Sequence, residues 1–230
     1  MALRFENKVA VITGAGRGIG YEIARQLIQE GASVALNDIN EALVIESAAR
    51  LDAQGPGSCI AIPGDAADMN LIDKLVACAV SRFGRVDIAI ANAGNTIFSN
   101  FLDVEISDFK KIIGLNIQGS FFLAQTAAKQ MCRQGSGGRI LLISSTIGLL
   151  AHPNLATYSM TKAALHMLAK SIVLDLSPMN ITINVVAPGA TITERTQLES
   201  HSYEKSWADV IPKGRAAFPK DIAHASLFLL

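Results

Sequence analysis

The chain has 230 residues, half of them apolar, and its 20 acidic side chains balance its 20 basic ones. That is enough for one globular domain, residues 1–230, with a substantial core, and the neutral balance without a long basic run argues against a nucleic-acid partner. No apolar run approaches a membrane span, and with the first strand starting within a few residues of Met1 no secretory signal is expected. Cys59, Cys78 and Cys132 form neither a metal spacing nor an even disulfide framework, which fits free thiols in a reducing, cytoplasmic compartment and no metal site.

Along the chain, strand candidates alternate with helical ones. Lys8-Val-Ala-Val-Ile-Thr13 is a continuous apolar run, the pattern of a buried parallel strand over Val9–Thr13. Gly14-Ala-Gly-Arg-Gly-Ile-Gly20 follows. Ile23, Ala24, Leu27 and Ile28 then recur at helical spacing before Gly31, predicting a helix over 18–30. A glycine-rich turn between a strand and a helix is the context of a dinucleotide fingerprint: glycines admit a pyrophosphate close to the backbone, and the helix N-terminus offers unpaired N–H groups. Further strands are expected at Ser33–Asn37, Cys59–Pro63, Val86–Ala91, Arg139–Ser145 and Thr182–Ala187. Further helices are expected at 40–53, 69–83, 107–134, 156–178 and 219–230. Such alternation predicts an α/β, Rossmann-type doubly wound parallel sheet, strand order 3-2-1-4-5-6, with helices on both faces and functional residues at the carboxyl ends of the strands.

Ser145, Tyr158 and Lys162 supply a reaction. Tyr158 and Lys162 lie four residues apart and share a helix face. A free phenol titrates near about 10 and is a poor base at neutral pH, but a neighbouring ammonium favours its phenolate.

The spacing Thr13-Gly14-x-x-x-Gly18-x-Gly20, together with Ser145 and Tyr158-x-x-x-Lys162, resembles the short-chain dehydrogenase/reductase family over nearly the whole chain. The resemblance implies further roles. Gly14, Arg17, Gly18, Ile19 and Gly20 belong to the cofactor turn. Asp65 and Ala66 border the adenine ring, and Asn92-Ala93-Gly94 supports the adenine-side wall. Asn116 completes a proton relay to the lysine. Pro188, Gly189, Thr191 and Thr193 close over the nicotinamide half, Thr191 standing where the family more often has Ile or Val. Tyr158 would act as acid/base, Lys162 would favour its phenolate and hold the nicotinamide ribose, and Ser145 would orient the substrate oxygen. The expected activity is hydride transfer between a nicotinamide cofactor and a secondary alcohol or ketone.

Asp38 ends the second strand, eighteen residues after Gly20, where a carboxylate either hydrogen-bonds the adenosine ribose or caps the next helix, a role open to Asn40 as well. Against a 2′-phosphate, each like-charge pair would cost on the order of 4 kcal/mol at about 4 Å and an effective dielectric near 20. Arg17 argues the other way, since family members that use NADP often carry a basic residue there; Ile39 stands where an arginine would help a phosphate. NAD is therefore expected, with NADP second.

Residues 193–215, with Glu194, Arg195, His201, Tyr203, Glu204, Lys205 and Trp207, should form a polar lid over the substrate. A sugar or polyol ranks first as substrate and a 3-oxoacyl thioester second; a dinucleotide-binding protein without catalysis is the alternative of another class. His152, between Ser145 and Tyr158, lines the pocket or faces solvent, and His166 and His224 are read as packing or surface residues. Leu227-Phe-Leu-Leu230 ends the chain inside a helix. The family's seventh strand would follow, so a sixth strand left as an exposed edge and a truncated chain are expected. The family resemblance also implies a homodimer or homotetramer.

Overall fold

A computed structural model of the protein describes residues 3–199 and 202–230. Six strands form one parallel sheet: β1 (Val9–Ile12), β2 (Ser33–Asp38), β3 (Cys59–Pro63), β4 (Ile88–Ala91), β5 (Gly138–Ile143) and β6 (Ile181–Val186), in the order β3-β2-β1-β4-β5-β6. The order is the predicted one, and it reverses between β1 and β4.

Why these runs make a two-faced sheet is visible in β1. All four of its residues are buried, and successive side chains point to opposite faces. Val9 and Val11 join a core with α3 (Met69–Phe83), α5 (Ser120–Gln134) and α6 (Ala156–Leu176). Ala10 and Ile12 join a second core with α1 (Gly18–Gln29), α2 (Glu41–Asp52) and the last helix, Pro219–Phe228. On α1 the predicted stripe Ile23, Ala24, Leu27 and Ile28 is fully buried; burying each large aliphatic side chain contributes about 1.5–3 kcal/mol.

The remaining helices are α4 (Ile106–Ile113), α7 (Glu194–Glu199) and α8 (Tyr203–Ala208), which makes the last helix α9. Several boundaries differ from the sequence expectation, each for a local reason. The single helix expected over 107–134 is interrupted: residues Gly114–Gly119 form a π-helical segment between α4 and α5. Strand β4 starts at Ile88 rather than Val86, because both backbone groups of Val86 are bonded to the Gln134 side-chain amide, at 2.8 and 2.9 Å. Strand β5 ends at Ile143 rather than Ser145; Ser145 instead leads a short 3-10 turn over Thr146–Gly148. Helix α9 stops at Phe228. Asn40, not Asp38, caps α2, accepting from the Leu43 N–H at 3.0 Å. His201 of the expected lid lies outside the described residues.

Candidate active site

The turns that follow the six strands, with the π-helical segment and the start of α6, carry the predicted residues at the carboxyl end of the sheet, whose strand order reverses between β1 and β4. Gly14 has φ +61°, and a Cβ there would stand 2.7 Å from Ala93 Cα, so both the backbone conformation and the packing require glycine. The two turns are stapled together. Thr13 Oγ1 accepts from the N–H groups of Asn92 and Ala93, each at 3.2 Å, while Asn92 Nδ2 donates to the carbonyls of Thr13 (3.0 Å) and Gly14 (2.7 Å). Gly20 lies against the same amide. Gly18, at φ +66°, is different: the nearest atom to a Cβ there would be Thr193 Cγ2 at 3.6 Å, which leaves room over the helix start. Helix α1 begins at Gly18 with Ile19 and Gly20, no acidic residue in its first turn and no side-chain cap from the exposed Arg17. Its first N–H groups lack intrahelical partners and carry the positive end of the helix dipole.

Asp38 sits half-buried beside this turn. Its Oδ2 accepts from Gly16 N–H at 3.0 Å and its Oδ1 from Asn40 N–H at 3.1 Å. Each oxygen keeps acceptor capacity for a further donor such as a ribose hydroxyl. Ile39 is exposed and offers no positive charge next to it. Asp65 is exposed with its Oδ1 on Ala67 N–H, and Ala66 is buried with its carbonyl 2.5 Å from where a Gly119 Cβ would stand.

At the other side of the reversal, Tyr158 and Lys162 lie on the first turns of α6, with Lys162 Nζ 5.7 Å from the centre of the Tyr158 ring. Lys162 is 5% exposed and its ammonium donates to the Ile143 carbonyl at 2.8 Å. Burial first, and the field of Arg195 second, push it down from 10.5 to about 8. Ser145 is buried, 9% exposed; its Oγ accepts from Ile147 N–H at 3.2 Å, which leaves the hydroxyl proton for another acceptor. Asn116 lies in the π-helical segment and is fully buried. Its Oδ1 accepts from Asn95 N–H at 2.8 Å, and its Nδ2 donates to the Asn95 carbonyl at 2.9 Å and Thr161 Oγ1 at 3.0 Å. Thr161 Oγ1 in turn donates to the Tyr158 carbonyl at 2.8 Å. Gly94 separates the two functional groups: a Cβ there would be 3.3 Å from Lys162 Nζ and 3.4 Å from Asn116 Oδ1.

The segment after β6 closes the other wall. The Pro188 carbonyl accepts from Thr146 N–H at 2.9 Å, beside Ser145. Thr191 is buried and its hydroxyl donates to the Gly189 carbonyl at 3.0 Å. Thr193 is held by Thr196, whose Oγ1 accepts from Thr193 N–H at 2.8 Å. On α7, Arg195 Nη2 donates to Thr96 Oγ1 at 3.2 Å, tying α7 to the loop after β4. Trp207 packs on Tyr203 with ring centres 6.2 Å apart.

The structure brings the predicted residues together at one end of the sheet, on supports that the sequence reading did not name. Thr161, Asn95 and the Ile143 carbonyl hold the site through contacts that no spacing encodes. His152 is exposed, its Nδ1 2.8 Å from the Pro153 carbonyl. His224 is exposed as well, whereas His166 meets Ser144.

A nicotinamide dinucleotide fits these donors and spaces: an uncapped helix start under an open glycine for a pyrophosphate, a carboxylate with free acceptor capacity for a ribose, and a buried ammonium beside Gly94. The family model for short chain dehydrogenase matches residues 8–204. The chain is similar to an L-rhamnose 1-dehydrogenase (NAD(P)(+)) of Azotobacter vinelandii, 37% identical over 229 residues that cover 97% of this chain and 89% of that protein. It is also similar to a 3alpha-hydroxysteroid dehydrogenase of Mediterraneibacter gnavus, 35% identical, covering 100% of this chain and 92% of that protein. Among solved structures, a short-chain type dehydrogenase/reductase from Mycobacterium marinum superposes with a TM-score of 0.92 at 30% identity, over 99% of this chain and 90% of that chain. The chain belongs to the short-chain dehydrogenase/reductase family.

Proposed function

We propose that the protein is an NAD(H)-dependent dehydrogenase of a hydroxylated substrate, a sugar or polyol, with Tyr158 as the acid/base. The observation that carries this reading is Lys162: a buried ammonium fixed to the end of β5, beside the Tyr158 ring and one strand-end away from Ser145. Burying a charge in that place is costly, and favouring a phenolate while holding the nicotinamide ribose gives it a use.

The pyrophosphate would be held by the turn from Gly14 to Gly20, the adenosine ribose by Asp38, and the adenine between Asp65-Ala66 and Asn92-Ala93-Gly94. The nicotinamide half would be held by Tyr158, Lys162, Pro188, Gly189, Thr191 and Thr193. Bound, the dinucleotide supplies the hydride acceptor for oxidation and the hydride donor for reduction. Ser145 Oγ donates to the substrate oxygen and fixes its position. Tyr158 Oη takes the proton from that oxygen during oxidation and returns it during reduction. Lys162 stabilises the phenolate electrostatically. Asn116 Oδ1, which keeps one lone pair beside Gly94, anchors the route by which the proton leaves.

NAD is preferred because Asp38 would meet a 2′-phosphate charge against charge. Asp38→Asn keeps an acceptor oxygen but removes the charge, so the ratio of kcat/KM for NADP to that for NAD should rise at least about tenfold. An unchanged ratio would remove Asp38 as the determinant. The sugar assignment is supported by the polar lid and by the likeness to L-rhamnose 1-dehydrogenase. One observation favours a second reading, a carbonyl substrate with an apolar portion such as a 3-oxoacyl thioester. Phe98, Phe101 and Leu102 after β4 and Leu149 and Leu150 after β5 are exposed on two loops that are joined by Ser99 N–H to the Asn154 carbonyl at 3.0 Å. Cofactor-linked turnover across sugars, polyols, simple secondary alcohols and oxoacyl thioesters, with NAD and NADP in parallel, separates the two. Turnover on the thioesters alone would replace the first reading with the second.

We propose further that the protein is a homodimer or homotetramer joined through α5 and α6, where a groove of about 450 Å³ is lined by Phe121, Leu168, Ile172 and Met179 among others. The three free cysteines support a reducing, cytoplasmic setting; burial pushes the Cys59 thiol up to about 12, which keeps it unreactive. Among the described residues no helix is long and apolar enough to cross a membrane.

A further inference from the structure

Ser144 precedes Ser145 but turns away from the substrate side. It is 3% exposed, and its Oγ lies 2.8 Å from the Lys162 carbonyl and 3.0 Å from His166 Nε2. Its backbone N–H is bonded to the Val186 carbonyl at 2.7 Å, which ties it to β6. The residue before it, Ile143, accepts the Lys162 ammonium through its carbonyl. Two consecutive residues at the end of β5 therefore grip Lys162, Ile143 at its charged tip and Ser144 at its backbone.

The hydrogen count at Ser144 fixes the protonation of its partner. A serine hydroxyl has one proton and two lone pairs, and a carbonyl can only accept. The Ser144 proton therefore goes to the Lys162 carbonyl, and the contact with His166 needs a proton on Nε2. We infer that Ser144 and an Nε2-protonated His166 form a strut that positions Lys162 and Ser145 for the reaction, His166 donating to Ser144 Oγ and Ser144 Oγ to the Lys162 carbonyl. The strut acts through its neighbours and touches neither substrate nor cofactor. It joins α6, which carries Tyr158 and Lys162, to the strand end that leads into Ser145. Loss of either member lets α6 shift relative to Ser145, and reacting groups displaced by fractions of an ångström lose rate steeply. Because the imidazolium also carries a proton on Nε2, the strut survives acidification; only the opposite neutral tautomer breaks it.

This inference rests on the catalytic reading of Lys162, so its test begins with a measurement that does not need turnover. Nitrogen-15 spectra of histidine-labelled protein in alkaline buffer, with His166→Gln as the assignment control, should show a protonated Nε2 and an unprotonated Nδ1 at His166. The reverse tautomer would overturn the strut whatever the enzyme does. Kinetics then test positioning. Ser144→Ala and His166→Phe should lower kcat about tenfold while the KM for cofactor stays within about twofold. His166→Gln places an amide N–H near the Nε2 position and should recover kcat to within about threefold of wild type. Folded Ser144→Ala and His166→Phe proteins with wild-type kcat would show a merely structural bond and overturn the proposal. Failure of His166→Gln to recover more than His166→Phe would do the same. If the wild-type protein turns over no substrate, the catalytic reading fails, and the positioning role falls with it even where the tautomer is as stated.

Discussion

Lys162 holds its ammonium where burial opposes the charge, and the consequence is measurable as stability. Burial, with the field of Arg195 second, moves its pKa from 10.5 in the unfolded chain down to about 8 in the folded protein. Between those values the unfolded state binds more protons, so folding becomes more favourable as pH rises through the window. Below 8 both states are protonated and the cost of burying the charge is fully present. From pH 8 to 10.5, the wild-type protein without cofactor should therefore gain stability relative to Lys162→Met by on the order of 3 kcal/mol. Denaturant titrations of both proteins across the window check this; parallel pH dependences would show that the charge is not buried. At this scale the sequence disclosed one relation through spacing: Tyr158 and Lys162, four residues apart, had to share a helix face, as they do on α6. It did not disclose that Lys162 reaches the Ile143 carbonyl or that Thr161 bridges Asn116 to Tyr158, because those contacts depend on how far α6 stands from β5 and from the π-helical segment.

The elements that carry these residues are shaped by close approaches. The glycine turn is locked to the turn after β4 by four hydrogen bonds involving Thr13 and Asn92, and Gly14 touches Ala93 through its bare Cα. Gly14→Ala must both leave its left-handed conformation and push Ala93 away. We expect a loss of at least about 2 kcal/mol in unfolding free energy, read from denaturant midpoints, and a marked weakening of NADH binding. A variant as stable as wild type would mean that the two turns can separate freely. The π-helical segment Gly114–Gly119 is the feature that periodicity could not give. The apolar pattern through 107–134 reads as one helix, and the interruption is set by contacts from outside it. Asn116 is drawn to Asn95 and Thr161, and Gly119 sits so close to the Ala66 carbonyl that no side chain fits. The glycine turn, by contrast, was fully legible, since its residue types already name the conformation.

The molecule as a whole follows from alternation. Apolar runs of strand length separated by helical stripes, joined by right-handed crossovers, lead to a parallel sheet that reverses order between β1 and β4. This part was readable because both faces of each strand must be covered, a demand written into every residue of β1. The polar segment after β6 was less legible: its polarity predicted exposure but not the two short helices, nor the tether from Arg195 to Thr96. The apolar faces of α5 and α6, with Phe121, Met167 and Leu174 exposed, lead us to expect a dimer or tetramer in light scattering at micromolar concentration. Phe121→Glu should shift that assembly toward smaller species while the circular dichroism spectrum is retained. A wild-type protein that is monomeric under those conditions would contradict the assignment of this face.

The most direct test of the catalytic account is turnover by Tyr158→Phe, a change that removes one oxygen and leaves the ring beside Lys162. On whichever substrate the wild-type protein oxidises, the variant should lose at least about hundredfold in kcat while NADH binding, followed by fluorescence, stays within about threefold of wild type. Comparable turnover in the variant would contradict the assignment of Tyr158 as the acid/base, and with it the reaction proposed for this site.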